Sequence, residues 1–174
     1  MTVKILVDSA CDLTEEYLNT YQIDMVPLTV HLDEKEYKDG LEIKPKKVYD
    51  EMRAGAKTKT SQVSPQEFQS LFESYIEKKQ TVVYLAFSSE LSGTYQTAKM
   101  VEQNIKDEHP NAPIHILDTK CASIGYGLVV LRAAQLAQNG ASVEEILDTA
   151  LYHAEHMEHI FTVDDLEYLQ RGGR

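Results

Sequence analysis

The stretch from Thr81 to Ala98 constrains the fold of this chain more than any other. It opens with a continuous apolar run, Val82 to Phe87, which is too short to span a membrane but has the length of a buried strand. Residues Ser88 to Thr94 then break the pattern with hydroxyl groups, and an apolar repeat at helical spacing follows from Ala98 onward. A strand covered on both faces, a turn and a helix in this order predict a unit of a parallel sheet.

The hydroxyl-rich turn between this strand and this helix has two interpretations. The first N–H groups of a helix have no partner within the helix, and together with the helix dipole they attract an anion. Alternatively, Ser92 or Thr94 simply caps the helix. The motif alone leaves both interpretations open.

Strand and helix patterns alternate along the rest of the chain. Further strands are predicted at 3–7, 24–28, 114–117 and 160–163. Helical patterns begin near Thr14, Pro45, Pro65, Ile124 and Val143. The polar stretch 31–43 is predicted as a surface excursion or small ribbon, and 57–63 as an exposed hydroxyl loop. The alternation predicts an α/β fold, in which a parallel sheet lies between helices in a three-layer α/β/α arrangement.

Polar residues gather where the predicted strands end, and ligands of such sheets bind outside the carboxyl ends of the strands. The segments LVDSAC (6–11) and ILDTKC (116–121) resemble each other, because each ends a strand with Asp, a hydroxyl residue and Cys in the same spacing. The residues expected along this edge are Ser9, Ser88, Ser89 and Thr119, with Thr60 and Ser61 joining from the loop before a helix. Hydroxyl donors of this kind hold an anion such as a carboxylate.

No catalytic constellation accompanies these hydroxyls in the sequence. A serine nucleophile needs a neighbouring base, and neither a nearby histidine nor a GxSxG elbow is present. Cys11 and Cys121 form no CxxC motif, so two packed neutral thiols are favoured over a redox pair. His153, His156 and His159 fan around one helix, which disfavours a shared metal. We therefore expect neither a metal nor another cofactor.

The net charge of −11 argues against nucleic acid and anionic membrane surfaces as partners. An anionic ligand must then be held by groups in its immediate surroundings, because the overall negative charge of the protein repels it. The N-terminus lacks the apolar length of a signal peptide, and no segment has transmembrane length. With two cysteines and no metal-ligand spacing, a reduced cytoplasmic protein is expected.

Five segments together resemble the DegV family of bacterial fatty-acid-binding proteins. They are VDSACDL, TSQVS, FSSELSGTYQTA, DTKCASIGYG and VDDLEYLQRGGR, in this order and over essentially the whole chain. The resemblance implies that a long-chain fatty acid is buried in a tunnel between two α/β domains. It also implies a carrier without chemistry of its own, which presents the fatty acid to a separate fatty acid kinase that phosphorylates the carboxyl group with ATP.

The resemblance further implies which residues hold the ligand. The carboxylate is expected to lie against hydroxyl-bearing and glycine residues of the TS and SS…SG segments, namely Thr60, Ser61, Ser88, Ser89, Ser92 and Gly93. Arg174, the arginine of the closing GGR motif, is expected near the head group or the kinase contact.

The same resemblance sets the expected domain organisation. Residues 1–160 are expected to form the DegV-like N-terminal domain, and 161–174 a segment that leads toward a second domain absent from this chain. Half of the ligand tunnel would then be missing, and the apolar face left by the second domain would favour self-association.

Two other functions remain as alternatives. A metal-dependent hydrolase or phosphotransferase would use the strand-end carboxylates Asp8 and Asp118, although each is a lone carboxylate without a DxD pair. In a structural or regulatory domain, the hydroxyls would only cap helices.

Overall fold

The computed structural model describes residues 3–162 of the 174-residue chain. Seven strands and six α-helices follow one another in these residues. The strands are β1 (Val3–Asp8), β2 (Asp24–Val26), β3 (Thr29–Leu32), β4 (Lys35–Lys38), β5 (Thr58–Ser61), β6 (Thr81–Ala86) and β7 (Ile114–Asp118). The helices are α1 (Glu15–Thr20), α2 (Pro45–Arg53), α3 (Pro65–Glu77), α4 (Thr94–Glu108), α5 (Ser123–Gln138) and α6 (Val143–Glu155).

The main sheet is parallel throughout, with the strand order β2-β1-β6-β7. Consecutive side chains of a strand point to opposite faces, so each central strand contributes to two cores. Val7 and Val83 pack against α5 and α6 on one face, whereas Leu6 and Tyr84 pack against α3 and α4 on the other. The predicted three-layer α/β/α fold is confirmed.

A second, antiparallel sheet of order β4-β3-β5 accompanies the main sheet. One of its faces is apolar, since Val30 and Leu32 form a small core with Ile43. The predicted surface ribbon therefore exists, but it belongs to a sheet with its own core.

The prediction of an exposed loop at 57–63 is wrong in its conformation. Residues Thr58–Ser61 form the edge strand β5, which pairs with β3 through Thr60 opposite Val30. The strand is largely exposed, and its Lys and Thr side chains give no apolar alternation that would mark it in the sequence.

The strand predicted at 160–163 is also wrong where the structure describes it. Residues 157–162 are irregular, and the side chains of Ile160 and Phe161 are 95% and 79% exposed. Within residues 3–162 this segment pairs with neither outer strand of the main sheet, so its apolar composition alone does not make it a strand. Val163 lies outside the described residues.

Two helices, α3 and α6, begin with a capping box. The hydroxyl of Ser64 accepts from the Glu67 N–H while the Glu67 carboxylate accepts from the Ser64 N–H, and Ser142 and Glu145 repeat the arrangement. Within residues 3–162, none of the helices combines the length and the hydropathy that crossing a membrane requires.

Candidate functional site

The carboxyl ends of β1, β6 and β7 meet at one edge of the main sheet, because these strands are parallel. The turns that follow them carry Ser9, Ser88, Ser89 and Thr119. The turns after β6 and β7 are joined directly, since the Ser88 N–H donates to the Cys121 carbonyl over 3.0 Å. The sequence therefore placed these hydroxyl residues at the correct edge.

Three of these four side-chain hydroxyls already form hydrogen bonds within the protein. The Thr119 hydroxyl donates to the Ala86 carbonyl over 2.8 Å, and Thr119 is only 1% exposed. Ser88 is 3% exposed, and its Oγ accepts from the Glu90 N–H. The Ser9 hydroxyl donates to Asp39 over 2.7 Å. These side chains stabilise turns.

Ser89 differs because its hydroxyl lies beside a cation. The Lys120 ammonium is 2.5 Å from Ser89 Oγ, 2.7 Å from a Glu90 carboxylate oxygen and 3.1 Å from Asp118 Oδ2. The pKa of Lys120 is raised, chiefly because its ammonium donates a hydrogen bond to Glu90. The charged ammonium form is therefore favoured. The ammonium is paired with the carboxylates of Glu90 and Asp118, so its positive charge is already balanced within the protein.

Asp118 fastens the turn after β6 to the turn after β7. Its Oδ1 accepts from the Ser89 N–H over 3.1 Å and from the Lys120 N–H over 3.2 Å. Burial opposes ionisation of this carboxyl, but the hydrogen bonds from Ser89 and Lys120 outweigh it and lower the pKa of Asp118. The carboxylate is thus engaged within the protein.

Asp8 plays a similar part at the end of β1 and is fully buried. Its Oδ2 accepts from the Tyr84 hydroxyl over 2.8 Å and from the Phe87 N–H over 3.0 Å, while Oδ1 accepts from the Ala10 N–H. Burial raises the pKa of Asp8 despite these donors. Among residues 3–162, no three His, Cys, Asp or Glu side chains gather in a metal-binding arrangement.

The N-terminus of α4 also lies at this edge, because α4 follows β6. Gly93 occupies the N-cap position and has no side chain of its own to cap the helix. Ser92 Oγ accepts from the Thr94 N–H over 3.2 Å and lies 2.9 Å from Thr94 Oγ1. Ser92 is half-buried and Thr94 fully buried, so Ser92 is the hydroxyl nearer to solvent. The positive end of the α4 dipole is therefore available to an anion.

Thr60 and Ser61 are exposed, but their side chains point to opposite faces of β5 because successive residues of a strand alternate. The Ser61 hydroxyl lies 2.6 Å from His31 Nε2. The structure thus places both residues on an edge strand without directing both hydroxyls to the same point.

Gln62 connects this strand to the α4 N-terminus, and sequence reasoning missed it. Its Nε2 donates to Thr97 Oγ1 over 2.8 Å. The same side chain covers Gly93, since a Cβ at residue 93 would lie 2.1 Å from Gln62 Oε1. The only available signal was its position inside the TSQVS segment.

Cys11 and Cys121 are free, buried and part of the same apolar core. Burial raises the pKa of the Cys11 thiol to about 12 and also raises that of Cys121. Both are therefore neutral thiols at neutral pH, which matches packed core residues and not activated nucleophiles.

Arg174 lies outside the described residues, as does most of the segment 161–174. The role predicted for Arg174 and the domain boundary near residue 160 stay predictions.

The comparisons with known proteins agree with one another. A family model described as the uncharacterised DegV family matches residues 2–174. A DegV domain-containing protein of Clostridium perfringens is 38% identical over 172 residues, which cover 98% of this chain and 59% of that protein. One from Caldanaerobacter subterraneus is also 38% identical, with 99% and 60% covered.

Solved structures give the same result. A fatty-acid-binding DegV family protein of Thermus thermophilus superimposes with a TM-score of 0.86 at 35% identity, over 100% of this chain and 61% of that one. A stearic-acid-binding protein of Eubacterium ventriosum gives 0.87 at 31% identity, over 99% and 60%. This chain spans about 60% of the length of the relatives that it matches.

Proposed function

Because the chain belongs to the DegV family, we propose that it contributes to the binding of a long-chain fatty acid whose carboxylate lies at the carboxyl edge of the main sheet. The protein is then a cytoplasmic carrier and not an enzyme. The alternative hydrolase or phosphotransferase has no observation in its favour among residues 3–162, since Asp8 and Asp118 both serve to hold turns together.

The observation that carries this proposal is the α4 N-terminus, where the N-cap residue Gly93 provides no capping side chain. A carboxylate placed there accepts hydrogen bonds from first-turn N–H groups and gains from the helix dipole. The Ser92 hydroxyl stands next to the same N-terminus, where it accepts from the Thr94 N–H. The structural relatives described as binding fatty acids align over the whole of this region.

The other proposed site residues supply further donors around this point. Ser89 brings a hydroxyl with the Lys120 ammonium at 2.5 Å, and β5 offers Thr60 on one face and Ser61 on the other, so that one of these two hydroxyls faces the ligand directly. Ser88 contributes through the shape of the turn, because its side chain is buried. Gly93 leaves room for neighbouring groups, and Arg174 is proposed near the head group or the kinase contact.

We further propose that the carboxylate is presented to a separate fatty acid kinase, as the family resemblance implies. The exposure of Thr60 and Ser61 supports this, since a second protein can reach a head group held beside them. The carrier itself then supplies binding and orientation, while the phosphoryl transfer belongs to the partner.

The isolated 174-residue chain is also proposed to associate with a second copy of itself. Ile124 and Leu128 lie one helical turn apart on α5 and are 60% and 51% exposed. Because α5 begins just after β7, this apolar face borders the same edge of the sheet as the candidate site.

Native mass spectrometry of the full-length protein tests the binding proposal. We expect a copurified mass of a fatty acid such as palmitate, stearate or oleate. Acyl-phosphate is expected to form only when ATP and a fatty acid kinase are both added. The proposal fails if no lipid copurifies and if added oleate leaves the melting temperature unchanged.

A further inference from the structure

Gln62 connects β5 with the start of α4, the two elements that carry the candidate hydroxyls Thr60, Ser61 and Ser92. Strand β5 ends at Ser61 and α3 begins at Pro65, so Gln62 lies in the short connection between them. Its side chain leaves this connection and reaches α4, where Nε2 donates to Thr97 Oγ1 over 2.8 Å. The contact joins residues that are far apart in the chain.

The contact continues to the first residue of the helix N-terminus. Thr97 Oγ1 donates in turn to the Gly93 carbonyl over 3.1 Å, and Thr97 is only 6% exposed. Gln62, Thr97 and Gly93 therefore form one hydrogen-bonded chain, which ends beside Ser92. A buried hydroxyl that both accepts and donates in this way has a fixed orientation.

Residue 93 must be small because the Gln62 side chain lies against it, and its backbone conformation does not require glycine. Its φ of −75° and ψ of 0° are accessible to any residue, so the backbone does not require glycine. A Cβ at residue 93 would, however, lie 2.1 Å from Gln62 Oε1 and 3.2 Å from Gln62 Cδ. Any larger residue at 93 would therefore displace the Gln62 amide from the place where it bonds to Thr97.

The contact from Gln62 affects the position of strand β5 relative to α4. Within residues 3–162, β5 is an edge strand of the small sheet and pairs with β3 alone. Its position relative to α4 is thus not set by a strand ladder on its other side. The bond from Gln62 to Thr97 supplies a direct connection to the helix N-terminus.

We propose that Gln62 is a positioning residue that fixes the spacing between Thr60 and Ser61 on β5 and Ser92 at the start of α4. Residue 93 is glycine so that the Gln62 side chain can lie over it. This inference rests on the proposed function, since the spacing matters when hydroxyls from both elements contact one fatty acid carboxylate.

The test uses oleate binding to the full-length protein and two independent ways of removing the contact. Gln62→Met keeps the length of the side chain but loses the hydrogen bond, and Gly93→Ala displaces the Gln62 amide. Each is expected to weaken oleate binding by about five- to tenfold, the effect of losing one hydrogen bond, with little change in melting temperature. The double variant Gly93→Ala/Gln62→Met is expected to bind no more weakly than either single variant, because both changes remove the same contact.

Matched substitutions at the partner residue give the control. Thr97→Ser keeps the hydroxyl and should bind oleate like the wild type, whereas Thr97→Val should resemble Gln62→Met. Wild-type affinity in both Gln62→Met and Thr97→Val would overturn the inference, and so would fully additive losses in the double variant.

Hydrogen exchange in the ligand-free protein separates this inference from the proposed function. Faster amide exchange over Thr58–Ser61 in Gln62→Met and Gly93→Ala is expected even if oleate does not bind. If the wild type fails to bind oleate but this exchange effect is present, the fatty-acid proposal is wrong and the positioning contact stands. Unchanged exchange in both variants would show that Gln62 does not position β5.

Discussion

Asp8 and Asp118 occupy equivalent places after two parallel strands, yet their environments shift their pKa values in opposite directions. Burial dominates at Asp8 and raises its pKa, whereas hydrogen bonds from Ser89 and Lys120 overcome burial at Asp118 and lower its pKa. The repeated Asp-hydroxyl-Cys pattern predicted the same position for both residues. It did not predict how many donors each carboxylate would receive, because those come from distant parts of the chain.

The two aspartates are expected to give opposite pH dependences of stability. At Asp118 the native pKa is lowered, so its stabilisation is present above the ordinary pKa of 3.8 and is lost as the pH falls through the native value. At Asp8 the native pKa is raised, so the folded state favours the protonated form and stability is lost as the pH rises from 3.8 through the native value.

Urea unfolding between acid and neutral pH measures this difference in Asp8→Asn, Asp118→Asn and the wild type. The advantage of the wild type over Asp118→Asn should grow with rising pH, while its advantage over Asp8→Asn should shrink. Asp148→Asn, at an exposed residue of α6, serves as the control. Parallel curves for the two strand-end variants would contradict the assigned pKa directions.

At the scale of the elements, the helix N-termini differ in their caps. Helices α3 and α6 begin with capping boxes at Ser64 and Ser142, whereas the N-cap residue of α4, Gly93, makes no side-chain cap bond, as is also true of the N-cap residues of α2 and α5. The capping boxes were predictable because the Ser and Glu residues are three positions apart. The difference at α4 was not predictable, because Ser92 and Thr94 both have the composition of a cap.

Ser142→Ala and Ser92→Ala distinguish a cap from a ligand site. Ser142→Ala removes a cap from α6 and should lower the free energy of unfolding by about 1 kcal/mol without affecting lipid retention. Ser92→Ala should release the copurified fatty acid from the full-length protein, because a hydroxyl that bonds to a carboxylate is lost. The measurements are urea unfolding and native mass spectrometry.

If Ser92→Ala lowered stability as Ser142→Ala does and left lipid retention intact, the hydroxyls of the turn would only cap a helix. That result would favour the structural or regulatory domain over the carrier.

For the whole molecule, the alternation of strands and helices was sufficient to predict the layers and the edge where the hydroxyls gather. The small sheet was predicted only as a ribbon, because β5 joins β3 across 25 intervening residues and its polar sequence shows no apolar face. Gln62 was missed for a related reason, since its partner Thr97 lies on α4, 35 residues further along the chain. Contacts between residues that are far apart in the chain leave no periodic signal in a sequence.

The proposed self-association is tested by replacing the exposed apolar residues of α5. Light scattering after size exclusion should show that the 174-residue chain forms dimers and that Ile124→Gln/Leu128→Gln shifts it toward the monomer. Met100→Gln is the control, because Met100 is 49% exposed on α4, which packs on the other face of the sheet. A wild-type chain that stays monomeric at every concentration would contradict the proposal.

The strand order of the main sheet also determines when its centre can form during synthesis. Strand β1 pairs with β6, and the register joins Val3 to Thr81. A ribosome must therefore release the small sheet, α2 and α3 before the first strand meets its central partner. Until β6 emerges, Ile5, Leu6 and Val7 have no completed core, so the nascent chain leaves the apolar residues of its first strand without their central partner throughout this period.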